Sequence, residues 1–220
     1  MKVFRWFSLC VLCQCTGTET GNPVCDENLR VGFSPLTATV ARPDGDISFS
    51  SVAIEVASVS LEPCAGSEAT VLLQNRPVDL FMVDVNEVHI PAGSYCAMVI
   101  DMGSSGDSFA AGRQVSNGQI NLTFDSQLRV RARLPLRHAL VTNGSQPNWI
   151  LGVDLAQWLH PIDSWLKSGP SQLTLNGPQA TALRQAQASS LRLYQDVDDD
   201  GQLDAADIAA PLSDVGVILP

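Results

Sequence analysis

The stretch from Gln195 to Ile208 reads QDVDDDGQLDAADI, and six of the twelve residues from Asp196 to Asp207 are aspartates. Like charges packed so densely repel one another, so the segment is either a solvated acidic turn or the seat of a cation. A solvated turn explains the charge but not the spacing. Asp196, Asp198 and Asp200 alternate, Gly201 follows at once, Leu203 comes two places later, and Asp204 and Asp207 close the run. Carboxylates at alternating places on a tightly wound chain converge on one point. A glycine immediately after them permits the positive φ that a sharp turn needs. The implied chemistry is chelation of a hard cation by oxygen, which favours calcium with its shell of six to eight oxygens.

Counted from Asp196, positions one, three, five, six, eight, nine and twelve have the residue types of an EF-hand calcium loop. In that reading Asp196, Asp198, Asp200 and Asp207 give side-chain oxygens and Gln202 gives its backbone carbonyl. Asp204 binds directly or through water, and Leu203 packs the loop onto the protein. Asp199 stands at a non-ligand position and faces water. Two features depart from a paired EF-hand. Gln195 precedes the loop where an apolar residue is usual, and position twelve is Asp207 rather than the longer Glu. Both resemble the isolated loops of bacterial extracellular proteins, such as dockerin-type segments. The second loop of a dockerin is absent, so cohesin binding is not implied.

Other chemistry has little support. His89, His138 and His160 stand apart, and no HExxH occurs. GDSFAAG, around Ser108, resembles the nucleophile block of some lipases, but no helix follows it and no Asp-x-x-His partner lies downstream. A hydrolase would require Ser108 near a histidine and an acid in space. Trp149, Trp158 and Trp165 could form a sugar-binding platform if exposed, and would be core if buried. A carbohydrate- or protein-binding module with a purely structural calcium is therefore the alternative to a calcium-binding surface protein. Asn121 and Asn143 match glycosylation sequons, and in a bacterium they read as strand and turn residues.

The elements around the acidic run must position it. PQATALRQAQASSLRLYQ is rich in helix formers, with Leu183, Ala186, Ser190 and Tyr194 at helical spacing. It predicts a helix entering the loop, and AADIAA predicts a short exit helix stopped by Pro211. From Asn28 to about Gln172 the pattern is of short strands: ISFSSVAIEVASVSL, ATVLLQ, VDLFMVD, YCAMVIDM, GQINLTF and LRVRARL. The alternation Ile47, Phe49, then Val52, Ile54, Val56 slips at Ser50–Ser51, which predicts a bulge or turn. Asn117-Gly118 is a hairpin signal. Leu128, Val130, Ala132 and Leu134 share one face of their strand, and Arg129, Arg131 and Arg133 the other. DLAQWLHPIDSW predicts a short amphipathic helix broken before Pro161. The sum is a mainly β protein, a β-sandwich of immunoglobulin or transthyretin-like type, followed by a C-terminal helix-loop-helix calcium motif. The order LEPC, VDLF, IPAGSYCAMVIDM, WILGVDLAQWL resembles the uncharacterised β-sandwich domains of many bacterial lipoproteins over about residues 45–160. That resemblance implies a fold and no activity. Within it Pro91 and Gly93 make a turn, and Tyr95 starts a strand with an apolar body and a polar tip.

The start of the chain suggests export. Lys2 and Arg5 precede an apolar run reaching Cys13, too short to span a bilayer and patterned as a signal peptide. Cys15 and the small polar stretch after it resemble a bacterial lipoprotein, in which that cysteine becomes the first residue and carries lipid. Leu12 at −3 fits the class, while Gln14 at −1 departs from the usual small residue. The implied organisation is a signal peptide at 1–14, a flexible tether at 15–29, the sandwich at 30–172 and the calcium segment at 173–220. The implied address is the bacterial cell envelope as an outer-membrane lipoprotein, with periplasmic or secreted protein as alternatives. Contact with membrane would then be through the lipid anchor, and a glycan or envelope protein would be the partner. Export permits a disulfide. Cys64 and Cys96 sit at strand ends and are favoured as the pair, with Cys25 as the alternative partner of either. The formal charge of −10 and pI near 4.5 argue against nucleic acid and anionic lipid surfaces.

Overall fold

The computed structural model describes residues 15–17, 23–41, 45–66, 68–103, 108–114, 118–124, 129–142, 147–162, 177–209 and 211–219, with the backbone alone at 15–17, 23–25, 108–114 and 118–124. The leader, Asn117, Asn143 and Trp165 lie outside these residues, as do the side chains of Ser108 and Asn121.

In chain order the strands are β1 Cys15–Gly17, β2 Pro23–Cys25, β3 Glu27–Pro35, β4 Thr39–Val40, β5 Ile47–Pro63, β6 Thr70–Asp79 and β7 Asn86–Ile90. There follow β8 Ser94–Met102, β9 Ser108–Gln114, β10 Gly118–Phe124, β11 Val130–Val141, β12 Asn148–Val153, β13 Leu191–Gln195 and β14 Val217–Ile218. The helices are α1 Leu155–Leu159, which runs into a 3-10 turn at His160–Ile162, α2 Gly177–Ser190 and α3 Ala205–Ile208.

The protein is mainly β, with two principal sheets. The larger is built on β5, whose 17 residues are long enough to serve two partners on each edge. Along one edge lie β4 and β6, and along the other β8 and then β9. β11 adds to β8, and β14 to β11. The predicted slip is present: the β5–β9 register shifts between Phe49 and Ser51. It lets Ile47, Phe49, Val52, Ile54 and Val56 all be buried despite the broken alternation. β9 and β10 form an antiparallel pair flanking the Asn117-Gly118 signal.

The smaller sheet has the order β13-β12-β3-β7, with β12 and β3 parallel and the other pairs antiparallel. Leu29, Val31 and Phe33 of β3, Trp149, Leu151 and Val153 of β12, and Leu191 and Leu193 of β13 point to one side. They join buried side chains of β5, β8 and β11, and of α1 and α2, in one hydrophobic cluster. The two sheets thus share a core. On β11, Val130, Ala132 and Leu134 face that core. Arg129 and Arg133 face outward and pair with Asp101 and Glu62.

Two expectations need correction. The segment entering the acidic run is not a helix: α2 ends at Ser190 and Leu191–Gln195 is a strand hydrogen-bonded along β12. Leu191 and Leu193 alternate, and burying them against a sheet edge outweighs the helical propensity upstream. The element order here is therefore helix, strand, loop, helix. Second, VDLFMVD is not a strand. β6 ends at Asp79, whose carboxylate accepts hydrogen bonds from Ser51 Oγ, Val52 N and Phe81 N and so fixes a turn at Leu80–Met82. The residues expected as a tether, 15–29, include β1, β2 and the first residues of β3. The strand β13 lies beyond the boundary expected at residue 173, yet belongs to the same sheet as β3 and β12.

The predicted turn at Pro91–Gly93 is present. Tyr95 is 4 % exposed, and its hydroxyl donates to Pro91 O at 2.9 Å. The expected short helix is α1, capped by Asp154, whose carboxylate accepts from Ala156 N and Gln157 N. Trp149 and Trp158 are buried in the core, at 4 % and 3 % exposure, and offer no platform to a sugar ring.

Candidate metal centre

The acidic run sits on the outer face of the smaller sheet. Along β12 and β13, residues alternate between core and outside, so Asn148, Ile150 and Gly152 share the outer face with Arg192, Tyr194 and Asp196. In β3, Gly32 and Ser34 lie on that face too. The chain leaves β13 at Gln195, turns through the aspartates and comes back over this surface. Gly152 leaves the necessary room: a Cβ there would stand 2.5 Å from the Tyr194 ring and 2.8 Å from Leu203 Cδ1. Leu203 thus packs the loop onto the sheet, as its position predicts, and its N–H donates to Ser34 Oγ at 3.3 Å. From the other side Val83 and Val85, in the turn after β6, close on Gly201.

Gly201 has φ +77°, the left-handed conformation expected at position six. A Cβ at this residue would also lie 2.8 Å from both Val83 and Val85. Asp199 is likewise left-handed, with φ +64°. It is exposed as expected, yet its carboxylate accepts a hydrogen bond from Asn148 Nδ2.

The loop brings Asp196, Asp198 and Asp207 together, each offering a carboxylate oxygen within 4.8 Å of the others. Asp196 and Asp207 are buried, with 5 % and 2 % exposure, and Asp198 is exposed. Asp207 is held by Val197 N at 2.9 Å on Oδ1 and by Asp204 N at 3.0 Å on Oδ2. Asp204 is the N-cap of α3, accepting from Ala206 N at 2.7 Å and Asp207 N at 3.1 Å in a capping box with Asp207. That duty suits a contact to a cation through water. Asp200 does not join the trio: its Oδ1 accepts from Gln202 N at 2.7 Å. The exit helix is present in α3, with Asp207 buried beneath it.

Asp196 carries the charge imbalance of the site. Oδ2 accepts from Gly201 N at 3.0 Å, whereas Oδ1 is buried with no hydrogen-bond partner. Burial pushes its carboxyl above the usual value of 3.8, and the charges of Asp207 and Asp200 push the same way. The amides of Gly201 and Asp199 oppose the shift without cancelling it. A buried, unpartnered carboxylate oxygen among like charges is costly on its own. A divalent cation would satisfy that oxygen and the repulsion together, and the donor set fits calcium: hard oxygens, with three carboxylates within reach.

Sequence reasoning missed Ser34, Asn148, Gly152 and the Val83–Val85 contact. The one local signal among them is Gly152, a glycine inside a strand pattern, which marks close approach by another segment. The other sequence-derived sites separate from this centre. His89 pairs with Asp26 at 3.5 Å on the surface. Cys64 and Cys96 are joined by a disulfide, with Cα atoms 4.8 Å apart. The backbone register of β1 and β2 sets Cys15 opposite Cys25. Comparison of the chain with protein-family models gives no match, and neither curated proteins nor solved structures give one.

Proposed function

We propose that this is a non-catalytic, calcium-binding protein of the bacterial cell envelope, in which the metal ties the C-terminal loop to a β-sandwich of immunoglobulin or transthyretin-like type. The observation that carries the metal is Asp196 Oδ1, buried without a partner where the carboxylates of Asp198 and Asp207 converge. Asp196, Asp198 and Asp207 would hold the ion through carboxylates and Gln202 through its carbonyl, with Asp204 acting through water. Asp200 joins by exchanging its hydrogen bond to Gln202 N for the metal. The ion supplies charge neutralisation and cross-linking, not Lewis-acid chemistry on a substrate. Two sheets around one core support the sandwich.

The test is calorimetry and melting curves on the full chain, with calcium and with chelator. We expect a dissociation constant on the order of 10⁻⁵ to 10⁻³ M, because position twelve is the shorter Asp and no second loop adds cooperativity. At ten times that concentration, stabilisation should be about 1.4 kcal/mol. Asp196→Ala should abolish it, and magnesium should substitute poorly, since it demands a smaller octahedral shell. Equal melting temperatures with millimolar calcium and with chelator refute the reading.

The envelope address rests on the signal-peptide pattern and on the resemblance of Cys15 and its sequel to lipoproteins. Lipid on Cys15 would anchor the protein stably, since it adds more than one acyl chain. The β1–β2 register offers Cys15 a competing fate in a bridge to Cys25. Cross-strand opposite residues lie at disulfide distance. The two fates exclude each other, and the intact mass of the mature N-terminal peptide separates them. We expect the diacylated mass, and a Cys15–Cys25 peptide overturns the anchor.

A further inference from the structure

We infer that Asn148, outside the acidic run, is an additional ligand of the metal, giving its side-chain carbonyl oxygen from the start of β12. The inference rests on the calcium reading above and extends the ligand set to a second segment of the chain. Trp149 pairs with Gln195, so Asn148 is the residue opposite Asp196, and Asp196 N donates to Asn148 O at 2.9 Å. Directly opposed residues of an antiparallel pair project to the same face, about 5.5 Å apart at Cα when hydrogen-bonded. Both side chains therefore stand side by side under the loop.

Each of the two carries a buried oxygen with no hydrogen-bond partner: Oδ1 of Asp196 and Oδ1 of Asn148. Both residues are more than nine-tenths buried, at 5 % and 8 % exposure. The amide of Asn148 is already oriented, because its Nδ2 donates to the Asp199 carboxylate. That bond commits the nitrogen to the loop and leaves the carbonyl oxygen as a pure acceptor. Two acceptors cannot satisfy each other, and among the described residues neither oxygen has a hydrogen-bond partner. A cation satisfies both, and an amide carbonyl is a standard hard ligand for calcium. It also makes up for the short reach of Asp207 at position twelve. The second segment replaces what a partner loop contributes in a paired motif.

The experiment titrates the full chain with calcium and, separately, counts the waters on bound terbium from luminescence lifetimes in light and heavy water. Asn148→Ala should raise the dissociation constant roughly tenfold or more and add one metal-bound water. Asn148→Asp keeps an oxygen and adds a charge, so it should bind calcium at least as tightly as the parent chain. Asp199→Ala removes the partner of Nδ2 but no ligand, so its metal hydration should match the parent. If Asn148→Ala leaves the water count unchanged, or Asp199→Ala reproduces its loss of affinity, Asn148 only holds the loop and the assignment falls. If the parent chain itself takes up neither ion, the calcium reading falls with it, and the two failures are told apart by that first titration.

Discussion

At the scale of single residues, Asp196 makes the metal-free protein respond to pH in an unusual direction. A carboxylate raised in the folded state contributes stability that is present below its unfolded value of 3.8 and is lost as pH rises through the raised folded value. The cause is chiefly burial, with Asp207 and Asp200 adding repulsion. The metal-free chain should therefore lose stability as pH climbs through the acid range. With calcium bound the sign reverses, because protons compete with the metal for the same oxygens. Urea midpoints measured across this range, in metal-free buffer and at saturating calcium, should give opposite slopes. Asp196→Asn should flatten the metal-free slope, and a slope that survives this substitution places its origin in another group. The convergence of Asp196, Asp198 and Asp207 was readable from sequence because such spacing is local: one stretch fixes the alternation, the glycine and the apolar anchor. Asn148 was not readable, since it becomes a neighbour of Asp196 only through the pairing of β12 with β13.

At the scale of elements, the divergence between sequence and structure is concentrated at Leu191–Gln195. Upstream, Ala180–Ser190 is a good helix by composition, and the spacing of Leu183, Ala186 and Ser190 continues to Tyr194 as if the helix did. A local pattern cannot tell that β12 offers an open edge there. Once β13 pairs with it, Leu193 enters the core and Tyr194 fills the space left by Gly152 on the opposite face. The strand also does for the loop what a helix would do less rigidly: it fixes Asp196 by a backbone hydrogen bond to Asn148. β5 is the reverse case. Its slip at Ser50–Ser51 was readable because hydrophobic alternation alone records the change of face. β3 escaped notice because Arg30 and Gly32 interrupt a short run, although the strand lies inside the smaller sheet between β12 and β7. Strand ends favour the Cys64–Cys96 bridge but leave Cys25 open as a partner of either; the pairing of β5 with β8 brings Cys64, just after β5, to Cys96 near the start of β8.

At the scale of the whole molecule, the acidic loop begins a strap that hydrogen-bonds to both sheets. After α3 the chain hydrogen-bonds to β13 through Leu212 N to Leu193 O at 2.8 Å and Gly216 N to Leu191 O at 3.0 Å. It also bonds to β11 of the larger sheet, through Asp214 N to Pro135 O at 3.0 Å and Leu219 N to Arg131 O at 2.7 Å. Gly216 passes so close to α2 that a Cβ there would lie 2.2 Å from Ala188 O. The strap is short and edge-bound, so its opening depends on how firmly its start is held. That start is the acidic loop, whose own packing is modest: Leu203 against the sheet and two valines on Gly201. A metal that binds the closed loop and not the open one should lower the open population by the factor 1 + [Ca²⁺]/Kd, about tenfold at ten times Kd. Hydrogen exchange of the amides of Leu212, Asp214, Gly216 and Leu219 should slow by that factor on adding calcium, while amides in the middle of β5 and β8 change less. If the amides of the loop slow and those of the strap do not, the sheets are held together independently of the metal. If strap and loop slow together, the acidic run acts on the whole fold, closing one sheet against the other from a site on the outer face of the smaller one.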